Sequence, residues 1–401
     1  MKSISLYMHV HQPYRLRHYT IFDSGVNHDY FDAPWDSREN NKKVLLKVAE
    51  KSYLPTNARL LQLLKKYPEF KVSLSMSGII LEQLEAWAPD VLYSFQELVA
   101  TGRVELVAET YHHSLAFFYS RSEFETQVSM HRDIIKRIFN QEPRVFRNTE
   151  LAYNNELAAW AQDAGYRGIL AEGWHQMLGW RSPNYIYRPV GAPNIKLLLK
   201  NYRLSDDIAF RFGDRNWSEW PLTADKFVRW LSEDQDAQIF NLFMDYETFG
   251  EHQWQESGIF DFLDHFPGYW LDDPNHGFMT VSEAAESIDA VGEIDTPYTI
   301  TWADTERDLS AWLGNAMQQQ AIAALYSLEG PMLELNDWSI ISDWRKLQTS
   351  DHFYYMCIKW FNDGDIHAYF SPYQSPYEAY INFMNAFHDL KSRLLDRGVI
   401  I

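Results

Sequence analysis

The sequence predicts an α/β protein with parallel strands, followed by a helical region. Short apolar stretches alternate with helical patterns over roughly 300 of the 401 residues, which is typical of a parallel barrel or a doubly wound sheet. Polar side chains cluster where several of these strands end. Beyond residue 305 the strand patterns stop and long helical patterns continue. We therefore place an α/β domain over residues 1–305 and a helical domain over residues 306–401.

The stretch over residues 239–252 shows the strand pattern most clearly. Its first six residues, of which only Asn241 is polar, are typical of a strand buried on both faces. Asp245 and Glu247 follow where this strand ends. Since the carboxyl ends of parallel strands form the active face of such folds, these two carboxylates are candidates for chemistry.

The N-terminal residues 3–11 are predicted to form the first strand. A period of two places His9 and His11 on one face, and Pro13 ends the strand because the residue before proline stays extended. Two imidazoles are therefore expected to point together at a strand end. Residues 15–41 lack a clean periodicity and are predicted to form a long loop.

The remaining elements follow from the same periodicities. Further strands are predicted at residues 71–76, 102–107, 144–150, 165–171, 185–188, 196–200 and 296–301, and helices at residues 57–67, 123–139, 317–328 and 377–394 and from about residue 223. Polar residues again follow the strands, with Glu109, His112 and His113 after one, Glu150 after another, and Glu172 and Trp174 after a third. In a barrel, the side chains from four of these strand ends are expected to converge on one mouth, namely His9 with His11, Glu109 with His112 and His113, Glu150, and Asp245 with Glu247.

Several chemistries fit such a cluster. Two carboxylates on different strands are what glycoside hydrolysis requires, one as nucleophile and one as proton donor. A metal-dependent hydrolase or deacetylase is the alternative, with His9, His11 and His113 as metal ligands. Sensitivity to a chelator would separate the two. A non-catalytic glucan-binding protein is the third reading, and it would bind maltooligosaccharides without releasing sugar.

Composition and charge narrow the choice of partner. The net charge of −19 disfavours nucleic acid and anionic membranes, and 15 Trp and 24 Tyr suit a cleft that stacks on sugar rings. No apolar run approaches the ~18 residues of a membrane span, and the N-terminus lacks a signal-peptide pattern. The single cysteine, Cys357, is predicted to be a buried thiol. We expect a cytoplasmic protein, and the sequence leaves its oligomeric state open.

Five motifs carry a resemblance to a known family. These are His-Gln-Pro at 11–13, Gly-Arg-Val-Glu-Leu at 102–106 with Tyr-His-His at 111–113, Arg-Asn-Thr-Glu-Leu-Ala-Tyr at 147–153, Asp-Tyr-Glu-Thr-Phe-Gly at 245–250 and Thr-Val-Ser-Glu at 280–283. In this order they resemble the five sequence regions of glycoside hydrolase family 57. Within that family the chain is most similar to the α-amylase group, which residues 302–312 also resemble.

The resemblance implies an incomplete (β/α)7 barrel followed by a C-terminal α-helical domain that completes the substrate cleft. It implies a retaining enzyme on α-glucans or maltooligosaccharides, without cofactor or metal, in which Glu150 is the nucleophile and Asp245 the acid/base. Hydrolysis of α-1,4 links of the α-amylase type is the first expectation. A 4-α-glucanotransferase or branching enzyme using the same site is the alternative.

The neighbouring polar and aromatic residues are expected to bind substrate. They are His9, His11, Gln12, Glu109, His113, Arg147, Trp174, Glu247, Trp302 and Asp304. Arg147 is expected to lower the pKa of Glu150, while crowding by Glu150 and Glu247 is expected to raise the pKa of Asp245. His131 lies on the apolar face of its helix and is interpreted as a core histidine.

Overall fold

The structure, a computed structural model, describes residues 2–359 and 366–400, and the chain divides into two units. Unit 1 comprises Met1–His11, Leu46–Glu109 and His131–Trp302, and unit 2 comprises Gln12–Leu45, Thr110–Met130 and Ala303–Ile401. Residues 12–45 and 110–130 thus group with the C-terminal helices, although they precede the boundary drawn from the sequence at residue 305. None of the helices in the described ranges is both long and apolar enough to cross a bilayer.

Unit 1 contains the strands. Those in the described residues are β1 (Lys2–Val10), β2 (Val72–Met76), β3 (Val104–Leu106), β4 (Val145–Phe146), β5 (Gly168–Glu172), β6 (Arg188–Pro189), β7 (Lys196–Lys200), β8 (Ile239–Asp245), β9 (His276–Phe278) and β10 (Glu293–Ile294). One sheet has the order β3-β2-β1-β8 with β9 also beside β1, a second has the order β4-β5-β7, and β6 pairs with β10. Every pairing between these strands is parallel, which confirms the predicted α/β class.

Main-chain hydrogen bonds connect the two larger sheets at both edges. Beyond β3, Ala108 N–H donates to the carbonyl of Val145 (2.9 Å) and Arg147 N–H donates to the carbonyl of Ala108 (2.8 Å). After β7, Asn201 N–H donates to the carbonyl of Asn241 in β8 (2.9 Å). The hydrogen bonds therefore lead around seven strands in chain order, β1-β2-β3-β4-β5-β7-β8, in agreement with a (β/α)7 arrangement.

An apolar core lies among these strands. The cluster takes side chains from five of them and is completed by the helix that follows β9; its fully buried members include Tyr7, Val145, Leu170, Leu198, Ile239, Phe243 and Val281. Alternate residues of a strand point to opposite faces, so each strand supplies one side of its side chains to this core. His9 and Asp245 are not members of this cluster and lie at the carboxyl ends of β1 and β8.

The helices follow the predicted alternation. Those in the described residues are α1 (Asn41–Val48), α2 (Leu54–Lys66), α3 (Gly78–Trp87), α4 (Pro89–Ala100), α5 (Arg121–Phe139), α6 (Asn155–Asp163), α7 (His175–Leu178), α8 (Tyr202–Ala209), α9 (Ala224–Glu233), α10 (Ile259–Leu271), α11 (Val281–Ser287), α12 (Ser310–Leu313), α13 (Ala316–Ser327), α14 (Glu329–Leu335), α15 (Trp338–Leu347), α16 (Ser350–Tyr354), α17 (Ile366–Phe370) and α18 (Pro376–Asp396). A π-helix, Ala49–Tyr53, joins α1 to α2. His131 is fully buried on α5, and its Nε2 forms a hydrogen bond with the carbonyl of Met76. The interpretation of this residue as a core histidine is therefore confirmed.

The strand predicted at residues 296–301 does not form. Ile300 instead makes an isolated antiparallel bridge with Tyr153, in which each N–H donates to the other carbonyl at 2.9 Å. This isolated bridge is antiparallel, so it does not extend the parallel sheets of unit 1. It also brings Trp302 beside Glu150, where Trp302 N–H donates to the Glu150 carbonyl (3.3 Å).

Unit 2 is tied together by a buried carboxylate on α18. Asp389 accepts hydrogen bonds from the Tyr30 hydroxyl (2.5 Å), the Gly25 amide (2.7 Å) and His28 Nδ1 (2.8 Å). These donors all lie in the loop predicted at residues 15–41, which forms neither helix nor strand except at Asn41, the first residue of α1. The network explains why this long loop belongs to the same unit as the C-terminal helices. Cys357, also in unit 2, is buried as predicted.

Candidate active site

The ends of β1 and β8 and the residue Glu109 after β3 form the first part of the site. The register of β1 and β8 pairs His9 with Asp245, and His9 Nδ1 lies 3.7 Å from Asp245 Oδ1. The other ring nitrogen, Nε2, lies 3.2 Å from Glu109 Oε2. His9 and Glu109 are buried, whereas the side chain of Asp245 is 37% exposed. The histidine therefore bridges an accessible carboxylate and a buried one.

The surroundings of Asp245 hold its pKa below the usual value of an aspartate. Burial raises this pKa, but the interaction with His9 and the positive charges of His252, His9 and Arg147 together outweigh burial. The prediction that crowding by Glu150 and Glu247 raises the pKa of Asp245 is therefore wrong for the protein without substrate. Its immediate neighbour is an imidazole and not a second carboxylate.

Arg147 links this group to Glu150. Its guanidinium is fully buried, with Nη1 3.8 Å from Glu109 Oε2 and Cζ 5.0 Å from the ring centre of Trp302. The Trp302 indole Nε1–H donates a 2.8 Å hydrogen bond to Glu150 Oε2. A continuous chain of contacts thus runs from Asp245 through His9, Glu109, Arg147 and Trp302 to Glu150.

Glu150 lies in a turn that the sequence did not reveal. It was predicted at the end of a strand, but β4 ends at Phe146 and Glu150 lies in a short 3₁₀-helix, Thr149–Leu151. Its φ and ψ are 59° and 26°, and Leu151 also has a positive φ of 50°. Left-handed backbone costs a non-glycine residue roughly 1–2 kcal/mol, and such conformations cluster at functional sites.

Glu247 is held by a tyrosine from outside the strands. It lies in a 3₁₀-helix directly after β8, is 4% exposed, and accepts a short hydrogen bond from the Tyr53 hydroxyl. Gly250 has a φ of 105°, and a Cβ at this position would collide with the carbonyl oxygen of Lys51. Glycine therefore lets the loop after Glu247 lie against the π-helix that carries Tyr53.

His11 and Trp174, from the predicted set, also lie in unit 1. His11 Nδ1 lies 2.8 Å from the Ser77 hydroxyl, and its ring stacks on that of His9 with 5.6 Å between the ring centres. Trp174 precedes α7 and packs edge-on against His175. His11 thus extends the group around His9, and a substrate contact by Trp174 stays a prediction.

Three predicted residues belong to unit 2. Gln12 accepts a hydrogen bond from the Arg15 guanidinium (2.9 Å). His113 has a φ of 51°, and its carbonyl accepts from the Ser350 amide (2.9 Å). Their roles toward substrate stay predictions, as does that of Asp304.

Asp304 forms an ion cluster that sequence reasoning missed. His367 Nε2–H donates to both carboxylate oxygens (3.1 and 3.2 Å), and Lys359 Nζ lies at 3.4 Å. Burial lowers the pKa of His367, but Asp304 and, less strongly, Cys357 raise it to about 9. Burial likewise raises the pKa of Asp304, but His367 and Lys359 together lower it. The carboxylate therefore has structural partners within unit 2.

Asp304→Asn is expected to make the free energy of unfolding less dependent on pH between about 6.5 and 9. The folded pKa of His367 exceeds its unfolded value, so its ion pair stabilises the wild type fully below about 6.5 and is lost as the pH rises through 9. Urea unfolding at pH 6, 7.5 and 9.5 measures this. Asp396→Asn, at an exposed position of α18, is the control. Equal slopes for both variants would contradict the ion pair.

Tyr53 and Lys200 are further site residues that the sequence reasoning did not select. Lys200 is the last residue of β7 and follows three leucines, so the rule that polar residues at strand ends mark the site could have found it. Tyr53 gives no such signal because it lies in a helical stretch of ordinary composition. Lys200 Nζ lies 5.5 Å from the ring centre of Trp302 and thus joins the contacts around Glu150.

Parallel strands with carboxylates and imidazoles at their carboxyl ends are typical of α/β-barrel enzymes. The sequence profile of Glycosyl hydrolase family 57 matches residues 5–297. The chain belongs to this family and is a glycoside hydrolase of the α-amylase-like kind.

Individual relatives support this assignment. A curated protein of Methanocaldococcus jannaschii, named "Putative alpha-amylase", is 43% identical over 399 residues, which cover 97% of this chain and 84% of that protein. The crystal structure of a GH57-type branching enzyme from Pyrococcus horikoshii matches with a TM-score of 0.72 at 15% identity, over 100% of this chain and 92% of that one. The crystal structure of a 4-alpha-glucanotransferase from Thermococcus litoralis matches with a TM-score of 0.63 at 18% identity. The match covers 88% of this chain and 56% of that one. At these identities the two structures bear on the fold alone.

Proposed function

We propose that the protein cleaves α-1,4-linked glucans with retention of configuration, with Glu150 as nucleophile and Asp245 as acid/base. The observation that carries the proposal is the chain of contacts that joins these two carboxylates across the strand ends. Glu150 accepts a hydrogen bond from an indole N–H, which favours the ionised form that a nucleophile needs. Asp245 is partly exposed and can therefore reach a bound sugar.

The reaction takes two steps. Asp245 donates a proton to the glycosidic oxygen while Glu150 Oε attacks the anomeric carbon, so the C–O bond to the leaving chain breaks and a glycosyl ester forms. Asp245, now a carboxylate, then takes a proton from the acceptor as the acceptor oxygen displaces Glu150. Since each step inverts the anomeric carbon, the product keeps the α configuration.

The buried residues of the site support these two carboxylates. Glu109 and Arg147 are fully buried and lie 3.8 Å apart, which favours a role in holding His9 and Trp302 over direct contact with sugar. Glu247 is oriented by Tyr53 and would accept a hydrogen bond from a sugar hydroxyl. His11 beside His9 would donate one.

Transfer to a sugar hydroxyl is the alternative to hydrolysis at the same site. The chemistry of both steps is identical, and only the acceptor differs. The relatives include proteins named as α-amylases and as a 4-alpha-glucanotransferase, so both outcomes occur among proteins similar to this chain.

Product analysis on maltoheptaose tests the proposal. We expect shorter maltooligosaccharides that first appear as α anomers by proton NMR, with unchanged rates in EDTA. Oligosaccharides longer than seven units would identify transfer. Initial β anomers, or no product from any α-glucan tested, would refute retention or the activity itself.

The EDTA arm also tests the metal alternative. The predicted metal ligands are His9, His11 and His113. Of these, His9 lies 3.2 Å from Glu109 and 3.7 Å from Asp245, whose carboxylate oxygens are atoms that divalent metals also bind. Loss of activity in EDTA that returns with added zinc would make these residues metal ligands. The roles of Asp245 and His9 would then have to be reassigned.

A further inference from the structure

Lys200 is a buried cation at the carboxyl end of β7. Its side chain is 5% exposed, and the register of β5 and β7 pairs it with Glu172, which is fully buried. Lys200 Nζ lies 3.6 Å from Glu172 Oε2 and 3.1 Å from Asp206 Oδ1. Because burying an ammonium group is costly without such partners, the two carboxylates fix where the charge lies.

The same ammonium group lies 5.5 Å from the ring centre of Trp302. A cation within about 6 Å of an indole ring is attracted by the negative face of the ring. Arg147 approaches the same indole at 5.0 Å, so two buried cations act on this one ring. Its N–H in turn donates to Glu150 at 2.8 Å.

The two cations have the same consequence for the indole. Each attracts the electron-rich ring, which holds the indole in place and makes its N–H a stronger donor. A stronger hydrogen bond to the ionised carboxylate favours that ionised form. The strand-end pair of Lys200 and Glu172 is thereby connected to the reactivity of Glu150 through Trp302.

We propose that Lys200 is a positioning residue for Glu150, which acts through Trp302 to keep the carboxylate ionised and correctly aimed. This inference rests on the proposed role of Glu150 as nucleophile. Lys200 itself need not touch the sugar. A purely structural role, by contrast, would require only the ion pairs with Glu172 and Asp206.

Lys200→Met is the central variant, because methionine keeps much of the side-chain length and removes the charge. We expect the acidic limb of the pH profile of kcat/KM to move to a pH about one unit higher. At pH values below that limb, kcat/KM should fall about tenfold relative to the wild type. Lys200→Arg is expected to restore most of the wild-type profile. Lys196→Met is the matched control, since Lys196 begins the same strand and bonds the carbonyl of Ile288.

Trp302→Phe tests the proposed connection. It removes the N–H donor and is expected to move the acidic limb in the same direction as Lys200→Met. If Lys200 acts through the indole, the double variant should shift the limb no further than the larger of the two single shifts. Additive shifts would mean that Lys200 acts on Glu150 by another route and would overturn the proposal.

A second variant and a direct titration of Glu150 allow a decision even if Lys200→Met does not fold or is inactive. Lys200→Met leaves Glu172 buried without this partner, so Lys200→Met/Glu172→Gln serves if the single variant does not fold. The carboxyl group of Glu150 is also titrated directly by ¹³C NMR, as the difference between spectra with glutamate and with glutamine at position 150. An unchanged titration midpoint in a folded Lys200 variant would overturn the proposal.

The direct titration separates this inference from the proposed function. If the wild type gives no product from any α-glucan, the proposed function fails, and the titration still decides whether Lys200 controls the ionisation of Glu150. If the wild type is active and the titration midpoint does not move, only the role of Lys200 fails.

Discussion

Glu150→Ala is expected to lower kcat/KM on maltooligosaccharides at least about a thousandfold, because the glycosyl ester can no longer form. The left-handed turn at Thr149–Leu151 is main-chain structure and does not depend on the carboxylate, so the variant should fold. Glu156→Gln, at an exposed position in the first turn of α6, is the matched control and should keep wild-type activity.

Azide assigns the role of Glu150 independently of the size of this loss. In Glu150→Ala, azide fits the space left by the carboxylate and attacks the anomeric carbon of a nitrophenyl α-maltooligosaccharide directly. A single displacement inverts the centre, so we expect a β-glycosyl azide by NMR. An α-glycosyl azide would mean that an ester to another residue still forms, and Glu150 would not be the nucleophile.

The placement of the site at the strand ends could be predicted from sequence. His9 and Asp245 lie at the carboxyl ends of β1 and β8, and Glu109 follows β3. Parallel strands in one barrel place such ends together. The contacts of 3.2 and 3.7 Å around His9 are the result of this rule. The rule that the ends of parallel strands lie together needs only two inputs, the positions of the strands and their parallel direction. The sequence pattern indicates both.

The features that tune the site could not be predicted in this way. The turn at Glu150 uses left-handed backbone without the glycine or asparagine that signals it, and its partner Trp302 lies 152 residues away. The pKa of Asp245 depends on which neighbour comes closest, which residue types alone do not reveal. A sequence pattern thus located the carboxylates, and tertiary contacts set their ionisation.

The two units were hidden for a similar reason. Residues 12–45 belong with the C-terminal helices because Tyr30, His28 and Gly25 bind Asp389, a buried acid on the last helix. An aspartate in an amphipathic helix predicts a solvent-exposed position, and the donors lie more than 350 residues earlier. Periodicity along the chain carries no information about such a contact.

Asp245→Ala is expected to affect substrates according to their leaving groups. Cleavage of a maltooligosaccharide needs a proton on the leaving oxygen and should fall about 10²- to 10⁴-fold. A dinitrophenyl α-maltooligosaccharide needs little protonation, so its glycosylation step should fall much less, and azide should then attack the glycosyl ester to give an α-glycosyl azide by double inversion. Asp261→Asn, at an exposed position of α10, is the control.

The pH profile gives a second test of the same role. In the protein without substrate the pKa of Asp245 lies below the usual aspartate value, and kcat/KM reports the free enzyme. The protonated acid therefore becomes scarce as the pH rises from low values, and the alkaline limb of kcat/KM on maltooligosaccharides should begin in the acidic range. Asp245→Ala assayed on the dinitrophenyl substrate should lack this limb, since no proton is donated. Equal losses on both substrates, or an alkaline limb that survives in the variant, would assign the proton donor to another residue.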